Sequence, residues 1–252
     1  MRKTMAVAIR TVDFKDNDKM ITFLTQDFGL MSAKARGAKK QTGKLFCASS
    51  LFCCGEYTFF EKNGFFGVKG GHALHQFGHL REDYDAYATA CFIADAAGKV
   101  AQEEYASPKL FALVVNALYA LDTGAVSPGA AVCYFVQRLL LIEGLYPVLD
   151  HCTVCGTQSG LGYFSISHGG VVCSSCAGGE DEVRFGPAAK DALDSMQGIV
   201  PLEMGAVKLD ADAEKMLKKL LVSLLEFALQ TPLKTTKYLN GEGLPPLQKN
   251  TC

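Results

Sequence analysis

Through the first quarter of the chain, apolar residues recur at every second position. Over Thr4–Val12, Met5, Val7 and Ile9 share one face and Arg10 takes the other, the alternation of a half-buried strand. Met20–Gln26 forms a second run. Leu30–Arg36 forms a third, with Met31, Ala33 and Ala35 on one face and Ser32, Lys34 and Arg36 on the other. Lys39, Lys40 and Lys44 follow in a loop bounded by Gly37 and Gly43, and Ala48–Cys54 reads as a further strand. Two aromatic-rich runs, Glu56–Lys62 and Phe65–Lys69, then flank Asn63-Gly64. That pair supplies the positive φ angles of a two-residue hairpin turn. Short strands with one hairpin and a basic loop fit a small, partly open barrel of the five-stranded oligonucleotide/oligosaccharide-binding type, the OB-fold. Periodicity alone leaves other small β-barrels open.

After Gly78 the period changes from two to 3.6. Leu80–Ala106 is alanine-rich, with Tyr84, Tyr87, Cys91 and Ala94 at helical spacing. Pro108 sits where a first helical turn tolerates proline, and Leu110–Leu121 continues as a second helix ending near Gly124. Pro128 opens a third, whose Val132, Phe135, Leu139 and Ile142 run towards Gly144. Pro187–Met196 predicts a short helix, and Asp212–Gln230 a longer amphipathic one striped by Leu217, Leu220, Leu221, Leu224 and Leu225. Such stripes are read as mutual helix packing. The tail from Leu244 to Cys252, with Pro245-Pro246, reads as disordered.

The composition is that of a globular chain, 49% hydrophobic and 20% charged, which excludes disordered and fibrous classes. The net charge of −1 hides an asymmetry. Residues 1–45 carry +6, residues 46–185 carry −7, and the remainder balances. A basic first fifth on a neutral chain predicts a local anionic partner. Met5–Ile9 is the only apolar stretch before Arg10, too short for a secretory leader, and no run approaches the roughly 18 residues of a membrane span. Ten cysteines in such a chain are expected as reduced thiols or metal ligands in the cytoplasm.

Four of those cysteines form the sharpest motif. Cys152 and Cys155, then Cys173 and Cys176, make two C-x2-C pairs separated by seventeen residues, within the spacing of a structural zinc site. Two residues between thiolates form a tight knuckle that sets both sulfurs on one side. Gly156 permits the left-handed turn such a knuckle needs. A hairpin of Tyr163–Ser167 and Val171–Cys173 would bring the knuckles together. Four thiolates fill a tetrahedron, so one structural zinc is expected. C-x-x-C pairs also occur in thiol oxidoreductases, which place them beside a βαβ pattern absent here. Cys47, Cys53, Cys54, Cys91 and Cys133 lie in apolar contexts and read as small buried hydrophobes. Neither a nucleophile elbow, a phosphate-binding P-loop, a zinc-protease motif nor a dinucleotide fingerprint occurs. His72, His75 and His79 read as surface or capping residues.

Several stretches resemble the RecO family of bacterial DNA repair proteins. They are Gly29–Lys40 (GLMSAKARGAKK), Phe77–Asp83 (FGHLRED), Glu143–Pro147 (EGLYP) leading into Asp150-His151-Cys152, Ser165 to Cys173, and Pro232–Leu239. The likeness is collinear over roughly residues 1–240. It implies an α+β architecture: an OB-fold barrel over 1–79, an all-α helical domain in two parts (80–149 and 184–240), a four-cysteine zinc finger inserted over 150–183, and a tail over 241–252. It also implies a non-enzymatic recombination mediator that binds single- and double-stranded DNA and anneals complementary strands. Such proteins join RecR to load the recombinase, and engage the C-terminal tail of single-strand binding protein. Under that reading, Arg10, Lys34, Arg36, Lys39, Lys40 and Lys44 are the candidate phosphate contacts, with Lys15 and Lys19 weaker. Of the hairpin aromatics Tyr57, Phe59, Phe60, Phe65 and Phe66, about half should point into the barrel. The alternatives are a zinc-stabilised protein-interaction scaffold that never touches DNA, or a C-x-x-C redox protein.

Overall fold

The computed structural model describes residues 1–43 and 45–243. Five strands form the N-terminal barrel: β1 (Arg2–Phe14), β2 (Asp18–Thr25), β3 (Gly29–Ala35), β4 (Cys54–Lys62) and β5 (Phe65–His75). Their order is β1-β2-β3-β5-β4, and β4 pairs back onto β1. Only the β3–β5 pairing is parallel. The sheet therefore closes on itself, so each of its five strands is paired on both sides. Asn63 and Gly64, at φ of 52° and 76°, make the predicted hairpin turn between β4 and β5.

Ala6, Ala8, Ile21, Phe23, Met31, Ala33, Tyr57 and Phe59 fill the barrel. The first strand departs from simple alternation. Both of its faces are buried over residues 6–9: Ala6 and Ala8 point inward, while Val7 and Ile9 pack against the helices. A bulge between Ala8 and Arg10 then re-aims the strand. Unbroken alternation from Ala8 would turn Arg10 into the barrel; the extra residue delivers it to the outside.

The predicted strand over Ala48–Cys54 is not one. Cys47–Ser49 forms a 3-10 turn, and the chain then passes irregularly through Phe52 before β4 begins at Cys54. This segment is apolar because it is buried between barrel and helices, not because it pairs in a sheet. Ser49, Ser50, Leu51, Phe52 and Cys53 are all buried.

Helix α1 (Tyr84–Val100) is shorter than predicted. Asp83 caps its start through the Ala86 N–H, at 2.7 Å. Its C-terminal continuation instead docks on the barrel, where Leu30 N–H reaches the Gln102 carbonyl at 2.9 Å. α2 (Pro108–Asp122) and α3 (Pro128–Ile142) begin as predicted, each with proline in the first turn and a serine cap, Ser107 and Ser127. α4 (Pro187–Gln197), α5 (Ala211–Leu229) and a last short α6 (Thr236–Leu239) complete the helical part. One hydrophobic cluster runs from Val7, Ile9, Leu24 and Phe52 of the barrel through α1, α2, α3 and α5. Gly98 lets Ile9 approach α1, its site for a Cβ lying 3.4 Å from the Ile9 Cδ1.

Between α3 and α4 lies a three-stranded ribbon of β6 (Leu161–Ser165), β7 (Gly170–Cys173) and β8 (Glu182–Arg184). Its inner side, Phe164, Val171 and Phe185, joins the helical core. Of the tail, Gly243 is held by the Tyr84 hydroxyl at 2.7 Å; residues 244–252 lie outside the described ones. Among the described residues, no helix is long and apolar enough to cross a membrane.

Candidate nucleic-acid interface and metal centre

The outer surface of β1-β2-β3 changes character along its length. At one end Val7, Leu24 and Leu30 stand in register and face the helices. At the other end the same side of the sheet is open. Cross-strand rows there run Arg10–Thr22–Ser32 and Val12–Met20–Lys34, with Phe14 opposite Asp18 and Arg36 just beyond the end of β3. Arg10, Lys34 and Arg36 thus share one face, as the alternation of β3 and the bulge of β1 require. Val12 and Phe14 are exposed among them, at 47% and 38%.

Two loops border this face. The β1–β2 turn carries Lys15, whose ammonium lies 5.7 Å from the Phe14 ring; Lys34 lies 4.7 Å from the same ring. The segment after β3 is tied to that turn through Lys39 N–H and the Asn17 carbonyl, at 3.1 Å, which places Lys39 and exposed Lys40 beside the face. Lys44 lies outside the described residues. Lys19 is the exception. It points into the barrel end, is 3% exposed and reaches the Ser49 carbonyl at 3.5 Å, so it is no surface cation.

The hairpin aromatics divide as the sequence suggests. Tyr57 and Phe59 are core, Phe60 and Phe66 are half-buried, and Phe65 is 78% exposed. Phe60 lies on the outer face because β5 offers Gly67 opposite it; a Cβ there would fall inside the ring. Gly67 also pairs with Lys34, so β5 carries the Phe60 side of the hairpin next to β3. Phe66 is instead covered by Arg2, 5.0 Å from its centroid. The sequence reading missed Val12 and Phe14 as exposed partners of the cations. Continuing alternation two residues past Val12 would have found Phe14.

Two of the cations are already paired. Lys34 meets Asp18 at 2.9 Å, and Lys39 meets Asp13 at 2.9 Å. The Gly37 N–H, at 3.0 Å, and then Lys34 hold the Asp18 carboxyl below its ordinary value of 3.8. A folded-state pKa below the unfolded one stabilises above the ordinary value and loses that contribution as pH falls through the lowered one. The Gly37 amide resonance is therefore expected to titrate with a midpoint below 3.8, and to lose that transition in Asp18→Asn. Nuclear magnetic resonance across an acid titration checks it.

The four ribbon cysteines converge as their spacing predicts. All four sulfurs lie within 4.8 Å of one another, and Cys155 Sγ is 3.7 Å from Cys173 Sγ. Bonds of about 2.3 Å from a tetrahedral ion would set sulfurs about 3.8 Å apart, so the cluster has the size to hold a metal ion. Each knuckle is closed by its own backbone: Gly156 N–H to the Cys152 carbonyl at 2.8 Å, and Cys176 N–H to the Cys173 carbonyl at 3.0 Å. Gly156 adopts φ of 76°, as the knuckle demands. Backbone N–H groups, foremost that of Cys155, lower the Cys152 thiol to about 6. Hydrogen bonds to the sulfurs of Cys155 and Cys173 push Cys176 up to about 12. Four sulfurs this close cannot all ionise without a cation among them, which is the donor chemistry of a divalent metal site. His151 turns to Asp150 at 2.7 Å and His168 to Ser165 at 2.9 Å; neither joins the cluster.

Of the other cysteines, Cys53, Cys54, Cys91 and Cys133 are buried and Cys47 is half-buried. His72, His75 and His79 are exposed, with His79 3.5 Å from Asp122.

A closed barrel of OB order, fused through a shared core to a helix bundle with a four-cysteine ribbon, defines a class of barrel-plus-helix proteins with an inserted cysteine knuckle. Within that class the comparisons are specific. Residues 1–77 match "Recombination protein O N terminal" and residues 81–237 match "Recombination protein O C terminal". The chain is similar to the DNA repair protein RecO of Listeria monocytogenes serotype 4b, 31% identical over 176 residues, 70% of this chain and 69% of that one. It is similar also to the proteins of the same name from Caldanaerobacter subterraneus (29% over 174 residues, 69% and 70% of the two chains) and Syntrophomonas wolfei (30% over 175, 69% and 70%). The chain belongs to the RecO family of DNA repair proteins.

Proposed function

We propose that this protein is a cytoplasmic DNA-binding mediator of recombination that performs no chemistry on its ligand. The observation that carries this reading is the single outer barrel face on which Arg10, Lys34 and Arg36 stand among Val12, Phe14 and Phe60. The face is bordered by the β1–β2 turn, one of the loops with which OB barrels commonly meet oligonucleotides.

A single strand is held by phosphate neutralisation together with stacking on aromatic rings. Arg10, Lys34, Arg36, Lys39, Lys40 and Lys44 supply the first term; Phe14, Phe60 and Phe65 supply the second. Nothing in this mode reads base edges, so binding is sequence-tolerant. Duplex DNA offers the same backbone and is held by the charge term. A surface that neutralises phosphates also lowers the repulsion between two complementary strands, which favours annealing. Family membership extends the reading to RecR as co-loader of the recombinase, and to strands coated by single-strand binding protein, engaged through its C-terminal tail. One zinc ion on Cys152, Cys155, Cys173 and Cys176 is structural in this account, because four thiolates leave no coordination position for a substrate.

The test is fluorescence anisotropy of a labelled oligonucleotide across a salt series. The combined Lys39→Glu and Lys40→Glu variant is expected to weaken binding by roughly tenfold or more at low salt. It should also flatten the logarithmic salt slope by about 0.7 for each single-strand phosphate that the face ceases to neutralise. Unchanged affinity and slope would reject this placement of the site.

A further inference from the structure

The two carboxylates paired with cations of the proposed DNA site are held differently. Asp18 is fixed through both oxygens, one on the Gly37 N–H and one on Lys34. Asp13 stands at the rim with its side chain 66% exposed, and its Oδ2 holds the Lys39 ammonium at 2.9 Å. Directly across the β1–β2 ladder from Asp13 is Lys19. Its amine lies under the segment after β3, 3.5 Å from the Ser49 carbonyl, with no carboxylate within 4.0 Å among the described residues. Burial lowers its pKa; Asp13 opposes that shift, and Lys39 and Arg81 add to it. Asp13 therefore has two cationic claimants, one at the surface and one buried, and sits on the surface one.

We infer that Asp13 sets the affinity of the DNA face: its carboxylate occupies on Lys39 the place a backbone phosphate takes, and once displaced it turns across the ladder to Lys19. This rests on the reading of the face as a DNA site. Three considerations carry it. A carboxylate and a phosphate diester present the same kind of anionic oxygen to an ammonium. An exposed ion pair is weak enough for a phosphate to replace it. Side chains directly opposite in an antiparallel pair have Cβ atoms about 5 Å apart, so the displaced carboxylate has an under-partnered amine within reach. The consequence is a face that binds phosphate less tightly than its charge count suggests. Each strand is then released more readily, which suits a protein that must surrender strands to pairing.

The experiment is a mutant cycle read by oligonucleotide anisotropy at low salt, on the full chain. Asp13→Asn is expected to bind roughly two- to fivefold more tightly than wild type, the range an exposed ion pair spans. In a Lys39→Gln background the same substitution should gain nothing. A gain that persists without Lys39 would mean that Asp13 merely repels DNA at a distance, and would overturn the inference, as would no gain at all. Asp13 is exposed and Lys39 is half-buried at the rim, outside the core clusters, so folding does not confound the result. Lys19→Met should weaken binding although its amine is buried, and only while Asp13 is present; equal weakening in the Asp13→Asn background would refute the hand-over. If wild-type protein binds no oligonucleotide, the DNA reading itself fails, before any variant is compared.

Discussion

Replacing Phe52 with alanine is expected to destabilise the protein by about 3–5 kcal/mol, the usual range for emptying a buried phenylalanine site. Phe52 is 1% exposed and meets Tyr87 of α1 edge-on, with ring centroids 5.7 Å apart. Its N–H is bonded to the Ala8 carbonyl at 2.8 Å, so it is pinned to β1 on one side and packed on the helices on the other. Its φ is 68°, a left-handed conformation that a bulky residue adopts only when surrounding packing enforces it. Alanine would keep that strain and lose the ring. Glycine would lose the ring and shed the strain, worth roughly 1–2 kcal/mol. Phe52→Gly should therefore be the milder variant, the reverse of the usual order. Because one core cluster joins barrel and helices, the Phe52→Ala loss should appear as a single transition lowered by on the order of 10 °C. Calorimetry checks this; two separated transitions would show that barrel and helices melt apart.

That residue also marks the limit of what the sequence could say. Elements whose cause is local were legible: the Asn63-Gly64 turn, the proline starts at Pro108, Pro128 and Pro187, and the four-cysteine spacing each carry their reason within a few residues. Ala48–Cys54 was not, because an apolar run looks the same whether it is paired in a sheet or wedged between two layers. Only the tertiary arrangement makes it a buried crossing. The same holds for β1: the residues of 5–9 are apolar on both sides because one side lines the barrel and the other meets α1, and the bulge that frees Arg10 leaves no mark in composition. Nominating cations from charge alone found Arg10, Lys34 and Arg36 together on one face, yet it included Lys19, whose place in step with inward Ile21 and Phe23 signals burial. What charge could not reveal was pairing. Asp13 and Asp18 lie five residues apart, and only the closed ladder brings them against Lys39 and Lys34.

Chelation at the four ribbon cysteines should have the other large effect, and a local one. The strands β6 and β7 divide their side chains between two small cores. Phe164 and Val171 face the helices, whereas Val172 packs with Cys152 and Cys173, and Tyr163 and Leu161 lean on that group. The second core holds little apolar surface, so a metal ion bound by the four sulfurs would supply most of its order. Structural zinc sites in isolated fingers bind with roughly 10–16 kcal/mol at neutral pH. A strong chelator is therefore expected to abolish hydrogen-exchange protection across residues 152–177, while α1, α2 and the barrel retain theirs. Cys155→Ser should reproduce the loss with little change in packing, since Cys155 is exposed whereas Cys152 is 1% exposed. Acid should mimic the chelator, because the ligands must be thiolates and protons compete for them. Metal content by mass spectrometry, followed downward from neutral pH, should fall in one step together with ribbon protection. Retained protection in a metal-free sample would mean that the sulfurs stand close for packing alone.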